Sequence, residues 1–188
     1  MFKTADLCDD HSDKLTIAAP MFNDFGGEIS FSGPISTVKC FEDNSFVRSQ
    51  LEQPGKGRVL VVDGGGSLRC ALVGDVLAQM GADNGWAGIV VYGCIRDSGV
   101  IAEIELGVKA IDTLPLKSVK KNVGEVDVAV HFADADFIPG HYLYADEDGI
   151  ILAAEKLVEL GFTTIIEMEG GIINWTTKGL ATTAEKKQ

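Results

Sequence analysis

The chain has 188 residues, of which 46% are hydrophobic and 23% charged, and a net charge of −12. That is the make-up of one soluble domain with a sizeable core, and no apolar run is long enough to span a bilayer. An acidic balance argues against direct nucleic-acid binding, which needs Lys and Arg against phosphates; it leaves open either solubility alone or attraction to a basic protein surface.

The opening stretch, MFKTADLCDDHSD, is polar and acidic, unlike a signal peptide, and points to a cytoplasmic protein. Thr4–Asp9 reads as a short helix capped by Thr4. Met21–Gly27 reads as a turn-rich loop with two aromatics, and Glu28–Ser32 and Ile35–Phe41 as strands split by Gly33-Pro34. Asn44 or Ser45 can cap a helix running to about Gln53, which Pro54-Gly55 stops. The four cysteines, Cys8, Cys40, Cys70 and Cys94, have neither zinc nor CxxC spacing and are expected reduced and buried.

The centre of the chain is Val59–Asp97. Val59–Val62 and Ile89–Tyr92 are short β-branched runs bounded by glycine, the pattern of buried parallel strands. Leu72, Leu77 and Met80 between them sit at helical spacing, so the unit reads strand, glycine turn, helix, strand. Asp63-Gly64-Gly65-Gly66-Ser67 lacks both the Walker ending and the GxGxxG spacing, and reads as a structural turn bordering a crevice. Asp75 falls at the start of the helix and Arg96-Asp97 after the second strand. The carboxyl ends of parallel strands share one sheet edge, so these three should meet there. Arg96 offers a planar fork for a carboxylate. The amides of Gly74, Asp75, Val76 and Leu77 lie where a helix begins and favour an anion. Asp97 is a hard oxygen ligand suited to Mg²⁺ or Mn²⁺, and Asp75 is placed to orient a water or relay a proton. A small 2-oxo acid fits, its carboxylate on Arg96 and the amides and its keto oxygen on a metal acting as Lewis acid.

After Asp97, Ser98–Leu106 reads as a turn and short helix whose Glu103 and Glu105 are either a solvated face or water-mediated metal partners. Val108–Pro115 and Val126–Phe132 read as strands, the latter antiparallel and half-exposed. His141–Ala145 and Gly149–Leu152 flank an acidic β-turn that does not match a calcium loop. His11, His131 and His141 form no metal-ligand pattern. The stretch Ala153–Leu160 is patterned as an amphipathic helix and Thr163–Met168 as a strand.

VLVVDGGGSLR, GDVLA and GCIRD, with KCFEDN (Lys39–Asn44) and YADEDGII (Tyr144–Ile151), resemble the RraA-like family over roughly Thr4 to Leu152. That resemblance implies a three-layer β/β/α, swivelling-type α/β domain, with a central, mostly parallel sheet and a second antiparallel sheet, assembled as a homotrimer or dimer of trimers. It also implies one of two functions. The first is a metal-dependent 4-hydroxy-4-methyl-2-oxoglutarate aldolase, a carbon–carbon lyase with secondary oxaloacetate decarboxylase activity. The second is a regulator of ribonuclease activity that binds and inhibits ribonuclease E. The aldolase branch is marked by an Asp, twenty intervening residues, then Arg-Asp, and Asp75, Arg96 and Asp97 meet that spacing. KCFEDN and VLVVDGGGS are worded more like the regulator. Residues 1–152 are thus expected to form the RraA-like domain, with Asp75 and Arg96 catalytic and Asp97 holding the metal. Residues 153–188 form an extension whose EGGI, Trp175 and Gly179-Leu180 resemble the closing segment of a rhodanese, without a cysteine to carry sulfur.

Overall fold

A computed structural model describes residues 2–157. In chain order the elements are α1 (Thr4–His11), β1 (Leu15–Ile17), β2 (Asn23–Asp24), β3 (Phe31–Lys39), α2 (Ser45–Leu51), β4 (Val59–Asp63), β5 (Ala71–Val73), α3 (Asp75–Asp83) and β6 (Gly88–Ile95). There follow α4 (Ser98–Ile101), β7 (Gly107–Thr113), β8 (Glu125–Val126), β9 (Val130–Phe132), β10 (Ala135–Phe137), β11 (Tyr142–Asp146) and β12 (Gly149–Ala153). The main sheet runs β1-β12-β11-β3-β4-β6-β7-β2, with β5 added to β6 and β8 to β3. Its middle, β3-β4-β6-β7, is parallel, and the flanking β1, β11, β12 and β2 pair antiparallel. β9 and β10 form a separate antiparallel ribbon.

Alternation along the parallel strands sorts the core into layers. Leu60, Val62, Ile89 and Val91 face one way and pack with Leu51, Leu77, Ala78 and Ile101 of the helices. Val59, Val61 and Val90 face the other way and pack with Phe132 and Phe137 of the ribbon. Those two rings stack at 4.3 Å, and Tyr92 stacks on Phe132 at 4.7 Å. Ribbon, sheet and helices therefore make the β/β/α stack. A third cluster, Leu7, Tyr144, Ile151 and Leu157, seats α1 on the β11–β12 hairpin.

Several expectations change. β3 runs unbroken through Gly33-Pro34: Pro34 sits where the strand exchanges partners, β11 before it and β4 from Ile35 onward. Leu72 is not on the central helix but in β5, an extra short strand, and the helix begins only at Asp75. Val126–Phe132 is not one strand, because Asp127 takes a left-handed φ of 51° between β8 and β9. Thr4 does not cap α1 with its side chain. Its N–H and hydroxyl donate to Asp146 at 2.7 and 2.5 Å, which ties the acidic turn to the helix. Within the Met21–Gly27 loop, Asn23-Asp24 pairs with β7. Ala153 closes β12 instead of opening a helix, and the readings placed on residues 158–188 lie outside the described residues. No helix among the described residues is long and apolar enough to cross a membrane.

Candidate functional site

Gly74 links β5 to α3 and is the point around which the site closes. Its backbone φ of −134° is ordinary extended geometry, so glycine is needed here for space. A Cβ at this position would stand 2.9 Å from Asp97 Oδ2 and 3.2 Å from Arg96 Cγ and Nε. The start of α3 thus lies against both side chains. Arg96 is fixed from behind by its own N–H, which donates to Val73 O at 2.9 Å. Its Nε lies 3.2 Å from Asp97 Oδ2, and both side chains are partly exposed. Asp97 holds a left-handed φ of 58° as it opens α4, a conformation aspartate tolerates better than most residues.

Arg96, Asp75 and the Gly74–Leu77 turn line one cavity of about 270 Å³. Asp97 lies next door, on a depression shared with Arg96 and Ser98–Val100, so Arg96 is the link between the two. A wider hollow of about 600 Å³ beside α3 also includes Asp75 but has no cation in its lining. The expected amide clamp is only partly available. Val76 N–H donates to Asp75 Oδ1 at 2.8 Å and Leu77 N–H to Gly74 O at 3.1 Å. Asp75 therefore serves the helix terminus as well as facing the cavity.

The sequence did not reveal the rest of the lining: Asn44, Arg48, Lys117, Ser118 and Lys120. With Arg96, four cations face one carboxylate, Asp75, in a chain of net charge −12. The cavity is thus a patch of positive charge on an acidic protein. Asn44 Oδ1 and Ser118 Oγ are both buried without a hydrogen-bond partner among the described residues. These residues come from separate segments, gathered by the tripeptide Glu42-Asp43-Asn44. Glu42 accepts from Ser67 Oγ at 2.7 Å and Arg69 Nε at 2.6 Å, holding the glycine turn. Asp43 accepts from Ser45 N–H and Oγ and, through its other oxygen, from Lys121 and Val123 N–H, holding the lysine-rich loop to α2. Asn44 Nδ2 donates to Leu72 O in β5 at 3.0 Å. Burial alone would push the Asp43 carboxyl up, but these hydrogen bonds outweigh it and bring it down to about 2.

The glycine turn is structural. Gly64 and Gly66 N–H donate to Tyr92 O, Gly65 N–H to Asp63 Oδ1, and the φ of 65° at both Gly65 and Gly66 requires glycine. Its amides are thereby used within the fold and do not form a phosphate cradle. Cys94 is buried in β6, where desolvation pushes its thiol up, as befits a core residue. Glu103 and Glu105 are exposed, and no group of three or more His, Cys, Asp or Glu side chains able to hold a metal occurs among the described residues. His131 pairs with Asp136 on the exposed ribbon at 2.8 Å.

The family profile described as RraA-like, Aldolase/RraA, matches residues 4–152. A protein of Alkalilimnicola ehrlichii, provisionally named 4-hydroxy-4-methyl-2-oxoglutarate aldolase, is 62% identical over 156 residues, covering 83% of this chain and 97% of its own. A protein of Laribacter hongkongensis with the same provisional name is 60% identical over 157 residues, covering 84% and 99%. Among solved structures, the RNA-processing inhibitor RraA of Thermus thermophilus superposes with a TM-score of 0.80 at 43% identity, over 82% of this chain and 94% of its own. A Geobacillus kaustophilus protein described as an S-adenosylmethionine:2-dimethylmenaquinone methyltransferase superposes at 0.83 with 49% identity, over 84% and 98%.

Proposed function

The chain belongs to the RraA-like family, and from that membership we propose that it is an aldolase cleaving 4-hydroxy-4-methyl-2-oxoglutarate to two pyruvates, with oxaloacetate decarboxylation as a secondary activity. The observation that carries this reading is the cation-rich cavity at the start of α3, where Arg96 and Asp75 face the same space. The names of the relatives support the substrate. A methyltransferase reading has less support, because the amides of the glycine turn are used within the fold and offer no cradle for an adenosyl group.

Arg96 takes the carboxylate beside the keto group through its planar fork, which fixes the substrate in register. Asp75 orients a water that removes the proton of the C4 hydroxyl and accepts that proton through it. The electrons on the C4 oxygen form a new carbonyl, the C3–C4 bond breaks, and its pair passes into the pyruvate enolate. The first pyruvate leaves. Arg96 offsets the enolate charge, and the stored proton returns to C3 to give the second pyruvate. With oxaloacetate, C3–C4 cleavage releases CO₂ and leaves the same enolate. Asp97, on the depression it shares with Arg96, is the carboxylate that would hold a divalent cation such as Mg²⁺ or Mn²⁺. Such an ion, when bound, would supply Lewis-acid polarisation of the keto oxygen. The test is stoichiometric: the protein with Mg²⁺ should yield two pyruvates per 4-hydroxy-4-methyl-2-oxoglutarate consumed, and Arg96→Ala should lower kcat/KM by at least about 100-fold. Undiminished cleavage by Arg96→Ala would overturn the assignment.

A second reading is favoured by likeness to the RNA-processing inhibitor together with the net charge of −12. In it, the acidic surface covers a basic face of ribonuclease E and no nucleic acid is touched. Capture of that ribonuclease should weaken with added salt and survive Arg96→Ala, which separates the two functions.

A further inference from the structure

We propose that Ser118, Lys117 and Arg48 form a second anion-reading wall in the same cavity, which recognises the far carboxylate of a dicarboxylate and so selects it over a pyruvate-sized monocarboxylate. This inference rests on the oxo-acid reading above and assigns specificity residues within it. Arg96 suffices for one carboxylate, yet three more cations line the space. Lys117 forms no salt bridge with any described residue, and Arg48 gives its Nε to Glu52 at 2.9 Å, an arrangement that leaves its terminal nitrogens for a ligand.

Ser118 is the pointed observation. The residue is 7% exposed, it lines the cavity, and its Oγ has no hydrogen-bond partner among the described residues. A desolvated hydroxyl is costly unless something accepts its proton, and an anion in the cavity is the acceptor at hand. The residue is also held firmly. Ser118 N–H donates to Ala71 O at 3.2 Å and Ala71 N–H to Leu116 O at 2.7 Å. The three-residue strand β5 thus positions Ser118 at one end and, through Val73, Arg96 at the other. Asp43 fixes the loop beyond Ser118 through the Lys121 and Val123 amides. Ser118 is therefore set before the ligand arrives.

The experiment measures the affinity of the full chain, with Mn²⁺ present, for two probes by calorimetry: pyruvate and 2-oxoglutarate. The wild type should bind 2-oxoglutarate about 10- to 100-fold more tightly, the range of a charge-assisted hydrogen bond. Ser118→Ala and Lys117→Gln should each remove about tenfold of that preference and leave pyruvate affinity within about twofold, and Ser118→Thr should restore it. Lys117 is exposed, so its variant carries the test should Ser118→Ala fail to fold. Equal wild-type affinity for the two probes, or variants that weaken both equally, would overturn the second wall while leaving the oxo-acid reading intact. Failure to bind either probe would overturn the oxo-acid reading and this inference with it.

Discussion

A methyl group at position 74 would have to displace Asp97 Oδ2 and the Arg96 side chain, which supply its three nearest neighbouring atoms. The backbone there accepts any residue, so the strain of Gly74→Ala falls on the two side chains of the proposed site, Arg96 and Asp97. Oxaloacetate turnover by Gly74→Ala should fall about 100-fold, the cost of misplacing reacting groups by about an ångström. Its urea unfolding should change by less than about 1 kcal/mol. The placement of Asp75 at a helix start and of Arg96 and Asp97 after a strand was legible in the sequence because the patterns of that helix and strand are plain. Ser118, Lys117 and Arg48 were not. They reach the cavity through a backbone bridge to Ala71 and through α2, contacts that leave no periodic trace. Val76 and Leu77 show the reverse: a helix start was foreseen, but not that its amides would already be bonded to Asp75 and Gly74.

At the scale of elements, the site depends on loops being bolted to strands. Asp43 holds α2 to the lysine-rich loop, and its carboxyl is lowered to about 2 in the folded state. A lowered carboxyl contributes stability that is complete above its unfolded value and is lost as pH falls through the folded one. Wild type should therefore lose about 2 kcal/mol more than Asp43→Asn between pH 5 and pH 2, measured by urea unfolding. On the opposite edge of the sheet, Lys109 of β7 is 2% exposed and its Nζ meets Asp24 Oδ1 of β2 at 2.6 Å. Asp24→Ala leaves a buried cation unpaired and should cost about 3 kcal/mol, whereas Lys109→Met should be close to neutral. Neither partner was readable as such: Asn23-Asp24 is too short a strand to show a pattern, and a lysine in an apolar run reads as exposed. β4, β6 and β7 were plain from their β-branched runs. β5 was hidden because its three residues also fit the helical spacing that begins at Asp75.

Taken whole, the molecule is a helix layer and an aromatic ribbon clamped on a parallel sheet, with the cavity at the strand ends, as β/β/α layering requires. An acidic body around a cation-lined cavity would draw the proposed anionic substrate to one place and repel it elsewhere. Initial rates on oxaloacetate at low substrate should therefore fall as salt rises, because screening weakens the attraction of the cavity for the dianion. The most direct measurement is pyruvate formation from oxaloacetate by protein stripped with chelator, then resupplied with Mn²⁺, in wild type and Asp97→Asn. The expected result is turnover that disappears on chelation, returns with Mn²⁺ in wild type and does not return in Asp97→Asn. Turnover that survives chelation, or an Asp97→Asn variant as active as wild type, would contradict the role assigned to the Arg96–Asp97 corner.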